Sequence, residues 1–491
     1  MTRKKELFLT IASNLTLQIV NAVCGFILPP LIVRTFGSAV NGMVTSITQF
    51  IAYLNLVEAG IGAASIAALY KPLAEENSAK INGILSAAKK FYFRSGFVFS
   101  AGIVALAFVY PLISGGEVDK LTSALMVLIL GISGSAEFFL IGKYRVLLTA
   151  DKKLYVISFL QSAAMILNTT LAVFLIKAEF GILAVKLSSS LVYLSRFFVL
   201  AFYVRKNYVE VSYKAEPDTK KISQSKNALV HQISGFVVFN SPVIILTVLC
   251  GLKEVSVYSV YALVFTAINN IMTSFSNGLQ SFFGESLVKD SIERLRKFYS
   301  IYETSFFTVM FWLYSCAFIL IMPFMKLYTT KMSDANYFRP ELAALFVVSG
   351  ILTNIRQPGA QMINAAGHFK NTQWRSLSEA AINIVASILF TLKFGIYGVV
   401  AGNICSSLYR GIDVVIYTNR HILKRKSIRS FVKIFFLALF FSAIVLIVQK
   451  IPFVFGNWGN WILNAFVVAG ICSLPVLFFL FYSRKLFLRG K

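Results

Sequence analysis

The chain has 491 residues, 57% of them hydrophobic and 14% charged, with a mean hydropathy of +0.73. Soluble domains carry roughly 45 to 50% apolar and about 25% charged residues, so this composition excludes an ordinary soluble protein and indicates a polytopic membrane protein. The net charge of +26 would suggest nucleic acid in a soluble chain. Here the Lys and Arg cluster at the ends of apolar stretches, where they face an anionic inner leaflet, and nucleic acid is not an expected partner.

A helix needs about 20 apolar residues to cross a hydrocarbon core of roughly 30 Å. Fourteen windows qualify: 7–30, 45–70, 92–114, 121–146, 154–176, 181–204, 227–250, 255–282, 301–325, 340–366, 373–392, 395–419, 430–449 and 461–483. The opening MTRKK and its apolar run are read as the first helix, because the run is long and no small-residue cleavage site precedes Arg34. With the N-terminus inside, the cytoplasmic segments hold 33 basic residues and the external ones 9, which places both termini in the cytoplasm.

Within this order, Pro29 and Pro30 are expected to end the first helix. Asn240, Ser241 and Pro242 are expected to interrupt the seventh, and Pro358-Gly359 the tenth. The stretches 75–92 and 285–299 are amphipathic and are read as helices lying on the lipid headgroups. The polar break 205–226, with Pro217, is read as a flexible cytoplasmic linker.

One spacing recurs along the chain. Phe180, Gly181 and Ile182 match Phe394, Gly395 and Ile396, Arg196 matches Arg410, and Gly37 matches Gly251, all at an offset of 214. The expected fold class is therefore an all-α polytopic membrane protein of 14 transmembrane helices, with two six-helix bundles as a parallel repeat and two added C-terminal helices. The domains are expected at 1–204 and 227–419, joined by the linker 205–226, with helices 13 and 14 in 420–491. The space between the bundles is the expected site.

Five basic residues belong to neither the cytoplasmic nor the external segments: Lys186, Arg196, Arg356, Arg410 and Lys433. Lys433 is assigned to a helix end, where it snorkels. Arg196, Arg356 and Arg410 lie 15, 16 and 15 residues from the external ends of their windows. At 1.5 Å per residue that is one shared depth of roughly 22 to 24 Å. A buried guanidinium needs a partner or a wet cavity, and its planar fork matches phosphate oxygens. Two readings stay open for each Arg, a substrate phosphate or a structural pair. Arg196, Arg356, Arg410 and Lys186 are accordingly the substrate-binding candidates, and Glu58, Glu137 and Asp413 the candidates for coupling an ion. Asp413 follows Arg410 by three residues, a spacing that pairs them on one helix face. Glu303 and Glu379 are read as structural, and the Asn and Gln of the windows mostly as contacts between helices.

The five cysteines all lie in apolar windows without a CxxC spacing, which argues against a disulfide framework or a zinc site. No GxxxxGK[ST], GxSxG or HExxH motif occurs, and the only histidines are His231, His368 and His421. No catalytic residue, metal or cofactor is expected, and the chain reads as a transporter rather than an enzyme.

The stretches QPGAQMINAAGHFKNTQWRSLSEAAIN (357–383), FGIYGVVAGNICSSLYR, LPPLIVRTFGSAVNG, LVEAGIGAA and LLTADKK resemble the polysaccharide and oligosaccharide flippases, in the superfamily that also contains multidrug extruders and lipid II flippases. The resemblance covers essentially the whole chain. It implies movement of an anionic undecaprenyl-diphosphate-linked glycan, or of a teichoic acid precursor, from the inner to the outer leaflet of a bacterial plasma membrane. Alternating access among membrane lipids, driven by H+ or Na+, is part of that implication, and the cationic cavity of such proteins suits Arg196, Arg356 and Arg410. Lipid II flippases carry an Arg-Asp pair in helix 1, whereas Arg34 here is followed by Thr35, so that role does not transfer. Alternatives are a cation-coupled multidrug exporter of similar fold and a membrane-embedded glycan polymerase or transferase. The second is disfavoured by external loops of at most about 15 residues.

Overall fold

The computed structural model describes residues 3–218, 226–277 and 280–488, and the structured part is helical throughout. The elements are α1 (Arg3–Phe36), α2 (Ser38–Leu54), α3 (Ile61–Ala74), α4 (Ser78–Ile113), α5 (Lys120–Ala136), α6 (Gly142–Ala150), α7 (Leu154–Lys177), α8 (Ile182–Asn207) and α9 (Lys226–Leu249). They continue as α10 (Leu252–Asn277), α11 (Gln280–Lys289), α12 (Ile292–Tyr328), α13 (Pro340–Ile355), α14 (Gln357–Ala365), α15 (Phe369–Phe394), α16 (Ile396–Tyr417), α17 (Ile428–Val448) and α18 (Trp458–Leu488). A 3-10 turn covers Asn55–Glu58, and π-helical turns cover Glu137–Ile141 and Thr418–Ile422.

Among the described residues 11 helices are long and apolar enough to cross a membrane, or 12 when the bent pair Ser38–Glu58 and Ile61–Ala74 is one span. The window 340–366 does not form one span, because the chain breaks between α13 and α14. Pro358 lacks the N–H that would continue the ladder, and it disfavours helical geometry at Gln357. The other proline expectations fail. α1 runs through Pro29 and Pro30 to Phe36, and α9 continues through Pro242 to Leu249. Membrane helices tolerate proline where neighbouring groups take up the freed backbone.

The 214-residue spacing recurs in the helix starts, from Ser38 to Leu252, Ser78 to Ile292 and Ile182 to Ile396. Gly37 and Gly251 precede the first of these pairs at φ 87° and 90°, a region closed to most side chains, which explains glycine at both. The caps before the second pair repeat as well. The Asn77 side chain accepts from Lys80 N at 3.0 Å, and the Ser291 side chain from Arg294 N at 3.3 Å.

The chain forms two compact units, Met1–Phe236 with Leu246–Ser259, and Val237–Ile245 with Val260–Lys491. In unit 1 the core gathers Ile84, Leu85, Phe99, Met126, Leu147 and Val185. This corrects the reading of 75–92 as a headgroup helix: residues 78–92 are the N-terminal part of the 36-residue α4, with Ile84, Leu85 and Ala88 fully buried. Its apolar face packs on protein instead of lipid. The stretch 285–299 likewise runs into the 37-residue α12, and helices this long, about 55 Å, overshoot the hydrocarbon core by roughly 25 Å.

The described part of the linker is docked rather than loose. Asn82 Nδ2 donates to Glu210 O at 3.0 Å, Ser212 N donates to Asn82 Oδ1 at 2.8 Å, and Asp218 N donates to Gly83 O at 3.1 Å. Tyr208 OH donates to Asp151 Oδ2 at 2.5 Å. Burial, and then this bond, hold the phenol protonated well above its ordinary value.

In unit 2, α15 and α16 approach closely along Gly398 and Gly402. A Cβ at Gly402 would lie 2.4 Å from the Ser387 backbone N, and one at Gly398 2.2 Å from Phe390 O. Small residues four apart allow this approach where no hydrophobic force drives helices together. Gly402→Leu is expected to cost about 3 kcal/mol or more through overpacking. Thermal unfolding in detergent should show that loss, while Gly235→Ala, which meets nothing within 4 Å, should leave the midpoint nearly unchanged. α17 and α18 are held to α12 by a small cluster of Val448, Val468 and Cys472 with Trp312 and Leu320. All five cysteines are free thiols.

Candidate substrate-binding site

Unit 1 assembles a string of alternating charge from two helix irregularities and two regular helices. Glu58 closes the 3-10 turn at the bend before α3, where Gly60 takes a left-handed φ of 83°. Its carboxylate accepts a short hydrogen bond from Tyr92 OH and lies 2.6 Å from Arg145 Nη2. Arg145 Nη1 is 3.2 Å from Glu137 Oε1, and Glu137 Oε2 is 3.7 Å from Arg196 Nη2.

The π turn explains how Glu137 and Arg145 meet. Eight residues of regular α-helix leave two side chains about 80° apart, and the extra residue absorbed by a wide turn brings them back to one face. Arg196 is the loosest member. Its Nε donates to Tyr193 O at 3.1 Å, and its guanidinium lies 5.2 Å from the Tyr193 ring centroid. Lys186 sits ten residues earlier on α8, about 15 Å along the axis. Among the described residues it has no hydrogen bond or ion pair, and it is half-buried.

Unit 2 builds a second string from α13 through α16. Arg356 stands at the break between α13 and α14, and its Nη1 pairs with Glu379 Oε1. Glu379 Oε2 is 3.4 Å from Arg410 Nε, and Arg410 Nη1 is 2.8 Å from Asp413 Oδ2. Arg410 Nη2 also donates to Ser376 Oγ at 3.0 Å, and Asp413 accepts from Arg375. The order Arg356, Glu379, Arg410, Asp413, Arg375 leaves one positive charge in excess. Glu379 and Arg410 are 4% and 8% exposed, so these pairs are strong where screening is weakest.

The expected Arg410–Asp413 pair is thus present, while Arg356 and Arg410 share Glu379, a residue read only as structural. The sequence places Arg145 and Arg375 among the 33 cytoplasmic basic residues, yet both complete the strings. Arg145 lies inside the span Lys120–Ala150, and no polar break in the sequence marks it. Lys433 does not merely snorkel: its Nζ is 3.0 Å from Glu303, which also meets Arg425 at 3.0 Å and accepts from Ser430 Oγ at 2.5 Å. Several of the Asn residues join helices, as Asn354 to Asn269 at 2.6 Å and Asn403 to Ser349 at 3.0 Å. Among the described residues no three His, Cys, Asp or Glu side chains converge as a metal site.

The arrangement offers guanidinium donors held in place by carboxylates. A phosphate oxygen can replace a carboxylate at such a donor with little reorganisation, because both accept in the same planar geometry. Arg196, with its 3.7 Å contact, is the easiest to recruit.

No protein-family model and no curated protein matches the sequence. Solved structures do match by fold. The lipid II flippase MurJ in an inward closed conformation aligns over 98% of this chain and 100% of its own, with a TM-score of 0.65 at 14% identity. A multidrug resistance MATE family transporter of the MOP superfamily, inward-facing, aligns over 83% and 95% with a TM-score of 0.60 at 14% identity. The eukaryotic MATE transporter AtDTX14 aligns over 87% and 98%, with a TM-score of 0.56 at 13% identity. The chain is a multi-pass membrane protein with the fold shared by the MATE transporters and the MurJ flippase.

Proposed function

We propose that the chain is a secondary-active flippase that carries an anionic lipid-linked glycan, of the undecaprenyl-diphosphate or teichoic acid precursor type, from the inner to the outer leaflet. The setting is a bacterial plasma membrane, with both termini cytoplasmic, and the mechanism is alternating access. The observation that supports this most is the Arg-rich string in each unit, which in unit 1 includes Glu58 on a 3-10 turn and Glu137 on a π turn and in unit 2 includes Arg356 at a helix break. Broken membrane helices place donors and free backbone where a cavity needs them. Arg196, Arg356 and Arg410 hold the phosphate, and Lys186 extends the cationic track on α8. Glu58, Glu137 and Asp413 release and retake their Arg partners as H+ or Na+ binds, which couples the ion to the cargo.

A cationic drug reading fits less well, because Glu58, Glu137, Glu379 and Asp413 are all engaged by guanidinium. Depletion of the protein in its native cells should cause lipid-linked glycan to accumulate on the inner leaflet, read by leaflet-selective labelling and mass spectrometry. Sensitivity to cationic drugs without any such accumulation would reverse the assignment.

A further inference from the structure

A second basic site lies apart from both strings in residues and in chemistry. At the start of α17 a cavity of about 690 Å³ is lined by Arg296, Arg420, Lys424, Arg425, Lys426 and Arg429. Arg296 is engaged with the wall, its Nε and Nη2 donating to the carbonyls of Leu423 at 2.6 Å and Lys424 at 2.5 Å. Arg425 meets Glu303 at 3.0 Å, and that carboxylate is shared with Lys433. Among the described residues the side chains of Arg420, Lys424, Lys426 and Arg429 have no hydrogen bond or ion pair. Four cations without counter-charge around one cavity repel each other unless an anion enters.

Two further features point the same way. Ser427, which also lines the cavity, precedes α17 without capping it, and its Oγ is buried with no hydrogen-bond partner. Buried hydroxyls are nearly always bonded, so this one has a donor left for a ligand. The positive end of the α17 dipole lies at the same place.

The neighbouring surface identifies the source of the anion. Ile428, Val432, Phe435 and Leu439 are exposed by 59%, 43%, 64% and 59%, and their spacing sets them on one face of α17 within a membrane span. A phosphate in the cavity therefore sits at the head of an apolar track, which a lipid uses and free phosphate does not. We propose that this cavity binds the phosphate headgroup of an anionic membrane lipid whose acyl chain lies along that face of α17.

The test uses the purified full chain in neutral detergent, with native mass spectrometry and thermal unfolding as readouts. The probes are dioleoyl phosphatidic acid, dioleoyl phosphatidylcholine and sodium phosphate. Phosphatidic acid should bind at least about tenfold more tightly than phosphatidylcholine, and Lys424→Gln/Lys426→Gln/Arg429→Gln should weaken it by about tenfold or more. Lys424→Arg/Lys426→Arg should retain binding. Ser427→Val, which removes the hydroxyl and no charge, should weaken it severalfold and decides the matter if the triple variant does not fold. Unchanged binding in the triple variant, or in Ser427→Val when the triple variant does not fold, overturns the site. Stabilisation by sodium phosphate equal to that by phosphatidic acid overturns the lipid as its ligand.

Discussion

Glu379→Gln is expected to destabilise the protein by about 3 to 5 kcal/mol. The carboxylate is 4% exposed and holds Arg356 and Arg410 together. Glutamine keeps the shape and removes the charge, which leaves two guanidinium groups facing each other where water cannot screen them. Thermal unfolding in detergent should show a loss of many degrees. Adding Arg356→Leu should recover part of it, because the double variant removes the guanidinium that Glu379 alone pairs among the described residues, whereas Arg410 keeps Asp413, and the two changes are coupled. A Glu379→Gln protein as stable as the parent would mean that the string is not a connected network.

Arg145→Gln is expected to reduce the proposed glycan export at least about tenfold, equivalent to about 1.4 kcal/mol in the transport barrier. Arg145 is the sole link between Glu58 and Glu137 in the string, and Glu137 in turn orients Arg196. Its side chain is 38% exposed, so the effect on folding should be small beside the effect on transport. Arg145→Lys should be nearly as damaging, since a single ammonium cannot bridge two carboxylates as a fork does. Export by cells carrying each variant, normalised to protein in the membrane, checks both statements.

The helical class, most of the spans and the repeat can be read directly from the sequence, because apolar length and the 214-residue spacing depend on little beyond the order of residues. The Arg410–Asp413 pair was legible too, as it needs only one helix and a three-residue step. What stayed hidden depends on tertiary placement. The bend at Gly60 lies inside one apolar window, where Asn55 and Glu58 read as isolated polar residues of a single helix rather than as a turn. The π turn at Glu137 has no residue signature, and without it Arg145 points away from its acid and reads as a loop residue. Glu379 was visible as a buried acid, but its partners come from other helices. Pro29, Pro30 and Pro242 misled in the opposite sense, since in a membrane helix neighbouring groups make up for the lost bond.

We propose that the guanidinium strings serve a negatively charged phosphate in transit. This is tested most directly by reconstituting the purified protein in liposomes with an undecaprenyl-diphosphate-linked glycan and following its appearance in the opposite leaflet. The account predicts transfer by the parent protein, loss of at least about tenfold in Arg196→Gln and in Arg410→Gln protein that remains folded, and no transfer of an uncharged glycolipid with the same glycan. Equal transfer of the uncharged lipid, or undiminished transfer by the variants, would contradict it.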